Sequence, residues 1–395
     1  MMQSSTRLSS TGLTPRTVVT VICIPVLTFG AILTIPAFVG VLGKHYGLPH
    51  AALGRLASVE YLVCITGTYL TNNRSIGQLT RWVPWACALA AITNLAGFFF
   101  AAQAPVILFH PFAAFGAGVS YGYVLKVINA SGRQERYFGT FMALFNLTML
   151  GEFQVIAYLT ARYTGAAIFI IYAVLAFGAL MVSLVTRSSV KKGTSIQTPV
   201  AKKQGRPGMT IVISIIAMAV SYTAYGIIWP YAQLVGVARG FSVTHVANGL
   251  STYAITAIVG ALSAAAIPWR MSRPLILSLA LCAVLSSIYM MYLGPSYLLF
   301  FLGCAVFGFY WNFYLTLHLG VIARADGTGR GIVLCGVAPS VGAIIGSFLG
   351  GTLVRGVDYQ PLAWVGGILC ITGVACAVAT ITRMKPANAV SAMPS

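Results

Sequence analysis

Acidic side chains are what this chain has least of. There are 5 Asp and Glu in 395 residues, against 24 Lys and Arg, and charged residues of both signs make up 7%. A soluble domain carries about 25%. Beside a hydrophobic content of 58%, that scarcity excludes an ordinary water-soluble globule. The eight cysteines form no Cys-x-x-Cys pair, so neither a disulfide framework nor a metal site is expected. They read as small apolar packing residues. No phosphate-binding loop is present either. The stretch Asp326-Gly-Thr-Gly-Arg-Gly331 lacks the Lys-[Ser/Thr] ending and a preceding strand, and reads as a turn. Without a nucleotide domain the chain is no ATP-driven pump by itself. Without a cluster of His, Asp and Glu it is not expected to be an enzyme, and no cofactor is implied. No cleavable signal peptide is expected either. The run from Thr17 to Gly43 is too long for one and has no small-residue cleavage site, so it reads as the first membrane helix.

What is abundant is apolar length. The chain reads as twelve apolar segments, each long enough to cross a bilayer. Gly is frequent, at 41 residues, as expected where membrane helices pack closely. Segments three, six, nine and twelve, near 82–103, 165–186, 274–293 and 361–382, hold no Asp, Glu, Lys, Arg or His. Glu60 falls in segment two, His110 in segment four, Glu152 in segment five and His318 in segment ten. A charge in the membrane costs about 2.5–3.5 kcal/mol even on lenient insertion scales. Such residues persist mainly where they face protein or a wet pathway.

The net charge of +19 does not imply nucleic acid. With the N-terminus taken as cytoplasmic, nineteen Lys and Arg fall in the tails and even-numbered loops, and five (Lys44, Arg55, Arg162, Arg239 and Arg355) on the other side. This positive-inside bias predicts a multi-pass protein of the cell (inner) membrane with both termini cytoplasmic.

The two halves echo each other. Gly47-Leu48-Pro49, Ser58 and Gly67 recur as Gly240-Phe241-Ser242, Ser251 and Gly260, shifted by 193. Pro36 matches Pro230, and Val127-Ile128 with Arg136 matches Val321-Ile322 with Arg330, shifted by 194. A six-helix unit duplicated in parallel orientation accounts for this. The expected division is a six-helix bundle over 1–186, a basic cytoplasmic linker over 187–208, and a second six-helix bundle with a short tail over 209–395.

Twelve helices in two six-helix halves, with a basic middle loop, resemble the major facilitator superfamily. The loop after segment two resembles the family's Gly-x-x-x-Asp-x-x-Gly-Arg-Arg pattern in Gly67, Gly77 and its arginines, but Asn72 and Asn73 stand near the place of the acid. Segment four resembles its Arg-x-x-x-Gly-x-Gly-x-Gly pattern, with His110 at the arginine position before Gly116 and Gly118. Segment five reads Leu150-Gly151-Glu152-Phe153, without the Gly-Pro motif of many exporters. No subfamily is assigned. The resemblance implies an all-α membrane protein of twelve transmembrane helices in two pseudo-symmetric halves. It implies that segments one, four, seven and ten line a central cavity, and that three, six, nine and twelve face lipid. The latter are the segments without Asp, Glu, Lys, Arg or His.

Glu60, Glu152 and His110 are the proton-coupling candidates. Intramembrane carboxyls can take up and release protons, or can pin helices as hydrogen-bonded acids. Histidine changes charge near pH of about 6.5 when unperturbed, or serves as a hydrogen-bonded core residue. Tyr121, Tyr123, Tyr225, Trp229, Tyr310, Trp311, Tyr314 and His318 are the cavity candidates, because aromatic faces with polar tips suit an organic solute. Ordinary membrane packing is the other reading of each. Asn146-Leu-Thr148 matches a glycosylation sequon but lies within segment five, which makes it a false match. Gly118 with Gly122, and Gly346 with Gly350, permit close helix contacts, either sliding or static.

The function expected is secondary active transport of a small organic, partly apolar solute by alternating access, with protons as the coupling partner. The alternatives are a drug or metabolite efflux antiporter and, from a different class, a membrane-embedded enzyme acting on lipids. A monomer suffices for this reading.

Overall fold

A computed structural model describes residues 14–100, 106–131, 133–191, 208–266, 272–325 and 330–382. The linker expected at 187–208 falls outside these residues from 192 to 207, as do both tails and positions 326–329 of the stretch expected to turn; its last two residues, Arg330 and Gly331, open a helix. Among the described residues the chain is helical, apart from short turns and one isolated bridge between Arg355 and Asp358.

Segment one is broken into α1 (Pro15–Thr28), α2 (Gly30–Leu33) and α3 (Ile35–Tyr46). Segment two is α4 (His50–Leu70) and segment three is α5 (Ile76–Phe100). Segment four joins α6 (Val106–Phe109) to α7 (Pro111–Ala130). Segments five and six are α8 (Gln134–Arg162) and α9 (Ala167–Lys191). Segment seven runs from α10 (Met209–Ile228) through a 3-10 turn (Trp229–Tyr231) into α11 (Ala232–Ala238). Segments eight to twelve are α12 (Val243–Ala266), α13 (Arg273–Tyr292), α14 (Tyr297–Ala325), α15 (Arg330–Leu353) and α16 (Gln360–Ile381). Among the described residues, nine helices are long and apolar enough to span a bilayer, and Pro15–Thr28 and Val337–Leu353 are shorter apolar helices. The broken first segment and the polar second one account for most of the difference from twelve. The chain is a multi-pass membrane protein.

The repeat is visible in the backbone. Gly47 and Gly240 both adopt positive φ, 63° and 83°, at the ends of segments one and seven. This left-handed turn is open to glycine at little cost. Segment one breaks just before Pro36 and segment seven at Pro230, because proline lacks the N–H that would continue the helical ladder.

Segments three, six, nine and twelve expose Trp85, Val174, Leu279 and Trp364 on the outside of the bundle. Glu60, His110, Glu152 and His318 are all buried. Arg239 is partly buried at the end of segment seven. Its guanidinium donates to the Met291 carbonyl at 2.6 Å, capping the last turn of segment nine. Lys126 holds the turn that follows segment two, donating to the carbonyls of Asn72 and Arg74 at 2.6 Å each.

Close glycine contacts lie mostly within the halves. Gly118 sits against the Cys64 carbonyl of segment two, and Gly346 against Gly226 of segment seven. These are static seams. Tight approaches between the halves include Gly54, where a Cβ would stand 2.5 Å from the Ser347 carbonyl and 2.8 Å from the Gly351 Cα, and Gly40, where one would stand 2.6 Å from the Gln233 Nε2.

Candidate functional site

The first polar centre lies wholly inside the N-terminal half. His110 sits between α6 and α7 on segment four, with helical backbone angles, and Pro111 opens the second helix. The imidazole Nδ1 stands 2.6 Å from Oε1 of Glu60, and both side chains are buried. Phe38 stacks on the imidazole at 4.4 Å between centroids, and Phe169 meets it edge-on at 5.8 Å. Two polar atoms of the pair, His110 Nε2 and Glu60 Oε2, have no protein partner. A small chamber beside Glu60 is lined by Thr28, Gly30, Asn94 and Tyr172 among others.

Glu152 stands nearby on segment five. It is buried, and neither carboxylate oxygen has a protein partner. A Cβ built on Gly30 would lie 3.1 Å from its Oε1 and 2.7 Å from the Tyr172 ring. Tyr172 shares a 2.7 Å hydrogen bond with Thr34. Both carboxyls thus border the broken stretch of segment one.

The second centre is a cavity of about 330 Å³ between the halves. It is lined from segments one, two, four, five, seven, eight, ten and eleven, and none of its lining among the described residues comes from three, six, nine or twelve. Ile32 borders both the cavity and the acid chamber; its neighbours Phe29 and Leu33 face the cavity, and Thr28 and Gly30 the chamber. The broken stretch of segment one is therefore the wall between the two centres.

The cavity closes at the end of the bundle away from the termini. Ser58 donates to the Ile344 carbonyl at 2.8 Å. The Gln154 amide donates to Ser251 at 2.8 Å and to Asn248 at 3.1 Å. His50 Nε2 meets the Gly356 carbonyl at 3.0 Å. Among the described residues, the hydrogen bonds that join the halves all lie at this end. Cavity-lining residues such as Thr68 and Phe141 lie toward the other end.

Of the aromatic residues expected at the cavity, Tyr121 and Tyr225 line it. Trp229 and Trp311 stand one layer behind: Trp229 stacks on Tyr253 at 4.0 Å, and Trp311 packs on Tyr225 at 5.0 Å. Tyr123, expected in the cavity, instead turns into the packing between segments one, three and five, because it lies on the opposite face of the helix from Tyr121. Tyr310 packs against Phe309 and Phe313 on the outer side of segment ten. His318 and Tyr314 also face away from the cavity. His318 Nε2 bonds Ser214 at 2.7 Å, its Nδ1 meets the Tyr314 hydroxyl at 3.0 Å, and that hydroxyl meets Ser221 at 3.0 Å. Both ring nitrogens are satisfied in this closed network, which ties segment ten to segment seven.

Sequence reasoning missed Tyr61, Tyr253, Asn146 and Asn312, all of which line the cavity. Among the described residues no group of three or more His, Cys, Asp or Glu is placed to hold a metal ion.

No family model matches this sequence, and no curated protein matches it. Solved structures do match its fold. The nucleoside transporter NupG superposes with a TM-score of 0.69 at 14% identity, over 93% of this chain and 100% of that one. The POT family transporter PepTSo gives 0.68 at 9% identity, over 94% and 98%. A D-xylose–proton symporter gives 0.67 at 14% identity, over 93% and 97%. At these identities the likeness is one of architecture: the chain has the fold that these transporters share.

Proposed function

We propose that this protein is a secondary active transporter. It moves a small organic, partly apolar solute through the inter-half cavity by alternating access, and couples that movement to protons at Glu60 and His110. The observation that carries this reading is the buried Glu60–His110 pair, 2.6 Å apart, set behind the wall of a cavity that is closed at one end. With the carboxylate ionised and the imidazole neutral, the pair carries one negative charge. One proton brings it to neutrality, whichever partner holds it. An uncompensated charge inside the membrane is costly, so each change of protonation changes which arrangement of the surrounding helices is favoured. Glu152, on the same wall and without a partner, is a second acceptor for that proton.

Alternating access needs one set of inter-half contacts to break while another forms. The contacts through Ser58, Gln154 and His50 form one such set. Solute and proton communicate through the broken stretch of segment one, whose two faces border the two centres. The basic-residue bias supports placing the terminal end, and hence the open side of the cavity, in the cytoplasm.

The test is uptake into proteoliposomes with an imposed pH gradient and a metabolite pool. An uptake that follows the gradient, and solute-driven proton movement in return, are expected. Facilitated uptake indifferent to the gradient would remove proton coupling. The absence of any flux across the pool would remove the transporter reading. Orientation is checked separately by thiol labelling of intact cells in a cysteine-free background. A cysteine at exposed Val357 should label from outside, and one at Thr14 should not.

A further inference from the structure

The lining of the inter-half cavity is specific about the charge of what it holds. Among the described lining residues there is no Asp, Glu, Lys, Arg or His. The buried carboxyl and imidazole groups lie elsewhere: Glu60, His110 and Glu152 behind segment one, and His318 in its own closed network. A charged solute entering here would lose water and find no counter-ion.

The walls are aromatic on both sides. In the N-terminal half, Phe29 packs with Tyr121 and Phe145 at 5.3 Å each. In the C-terminal half, Tyr222 and Tyr225 stand 5.7 Å apart, with Phe307 stacked parallel behind Tyr225 at 6° between planes. Such walls hold a flat ring by offset or edge-on contact.

Two carboxamides interrupt them, one from each half. Asn146 donates its Nδ2 to the Met142 carbonyl at 2.8 Å, and Asn312 donates its Nδ2 to the Gly308 carbonyl at 3.1 Å. A carbonyl only accepts, so each bond fixes the amide orientation. The Asn312 Nδ2 also reaches the Tyr253 hydroxyl at 3.5 Å, and among the described residues neither Oδ1, both in residues that line the cavity, takes part in a hydrogen bond. Both are acceptors.

On the reading of this cavity as the transport site, we infer that the solute is an uncharged planar aromatic compound that donates hydrogen bonds to Asn146 and Asn312. A ligand of that kind touches both halves at once, so its binding senses their relative position.

A series of one shape separates the contributions. Nicotinamide and its larger benzo-fused homologue, quinoline-3-carboxamide, are neutral N–H donors. Nicotinate is the anion, 1-methylnicotinamide the cation, N,N-dimethylnicotinamide lacks the N–H donors, and cyclohexanecarboxamide lacks the ring. Equilibrium binding to the purified full-length protein is measured by titration calorimetry. At least one neutral aromatic donor should bind about tenfold more tightly than its charged, donor-free and saturated analogues. Asn312→Leu and Asn146→Leu should each weaken it about five- to tenfold. Asn312→Asp should shift preference toward the cation, a gain that a misfolded variant would not show. Tighter binding by an ion, equal binding by cyclohexanecarboxamide, indifference to all three substitutions, or silence of the whole series overturns the inference. Binding without flux in liposomes would instead sink the transporter reading and leave this one standing.

Discussion

Phe38 lies over the imidazole of His110, with centroids 4.4 Å apart and planes inclined by 29°. The ring covers a histidine whose Nδ1 is engaged by Glu60 and whose Nε2 has no partner. Segment one, which carries Phe38, thus forms the lid of the acid–histidine pair as well as a wall of the cavity.

Glu60→Gln keeps the shape of the pair and removes the carboxyl's titration. Uptake driven by a pH gradient should fall about tenfold or more, the effect of about 1.4 kcal/mol, while solute exchange at equal pH persists. His110→Arg fixes a permanent positive charge against Glu60 and should arrest net uptake. His110→Gln should be milder and should flatten the pH profile. Full activity of both histidine variants across pH of about 5.5–8, bracketing the usual histidine range, would reduce His110 to packing.

Glu152 has no protein partner at either oxygen. Glu152→Gln removes a group whose ionised form would be uncompensated, so the melting temperature should hold or rise. Net proton-coupled uptake should fall. A loss of stability together with unchanged coupling would mark Glu152 as structural.

Much of this was legible in the sequence because lipid enforces it. The four segments without Asp, Glu, Lys, Arg or His contribute nothing to the cavity among the described residues, and the Gly47 and Gly240 repeat recurs as a backbone turn. Helix rotation was harder to read. Tyr121 and Tyr123 differ by two positions, which on a helix is opposite faces, yet in apolar surroundings both sides of segment four look alike. His318 looked like a pathway residue because its partners Ser214 and Tyr314 lie on neighbouring turns and segments that composition does not pair. Asn146 attracted notice only as a false sequon, since one amide in an apolar helix carries no signal of which way it faces.

The closed end of the cavity should open when its inter-half bonds are removed. Ser58→Ala and Gln154→Ala together delete the bonds to Ile344, Ser251 and Asn248. At about 0.5–1.5 kcal/mol for each of the three bonds, the expected shift between the two end states is about 10–2,000-fold. Spin-label distances between segments two and eleven at that end should lengthen in the double variant. An unchanged distance distribution would show that backbone packing at Gly54, rather than these bonds, holds the end shut.

The wall between the two centres offers the last test, at Gly30. A methyl group there would press on the Tyr172 ring at 2.7 Å and approach the Glu152 carboxyl at 3.1 Å, while Phe29 next to it faces the solute cavity. Gly30→Ala should therefore disturb the acid side of segment one and leave the solute side in place. Solute binding should change less than about twofold, within the usual scatter of surface-like substitutions of about 0.5 kcal/mol, while uptake driven by a pH gradient falls severalfold. If crowding of the ring is the cause, Tyr172→Leu in the same chain should restore part of the coupling that Gly30→Ala removes, a non-additive pairing expected only for residues in contact. Strict additivity of the two substitutions, or loss of solute binding and coupling in equal measure, would show that segment one moves as one rigid piece and that the wall does not transmit the proton's state.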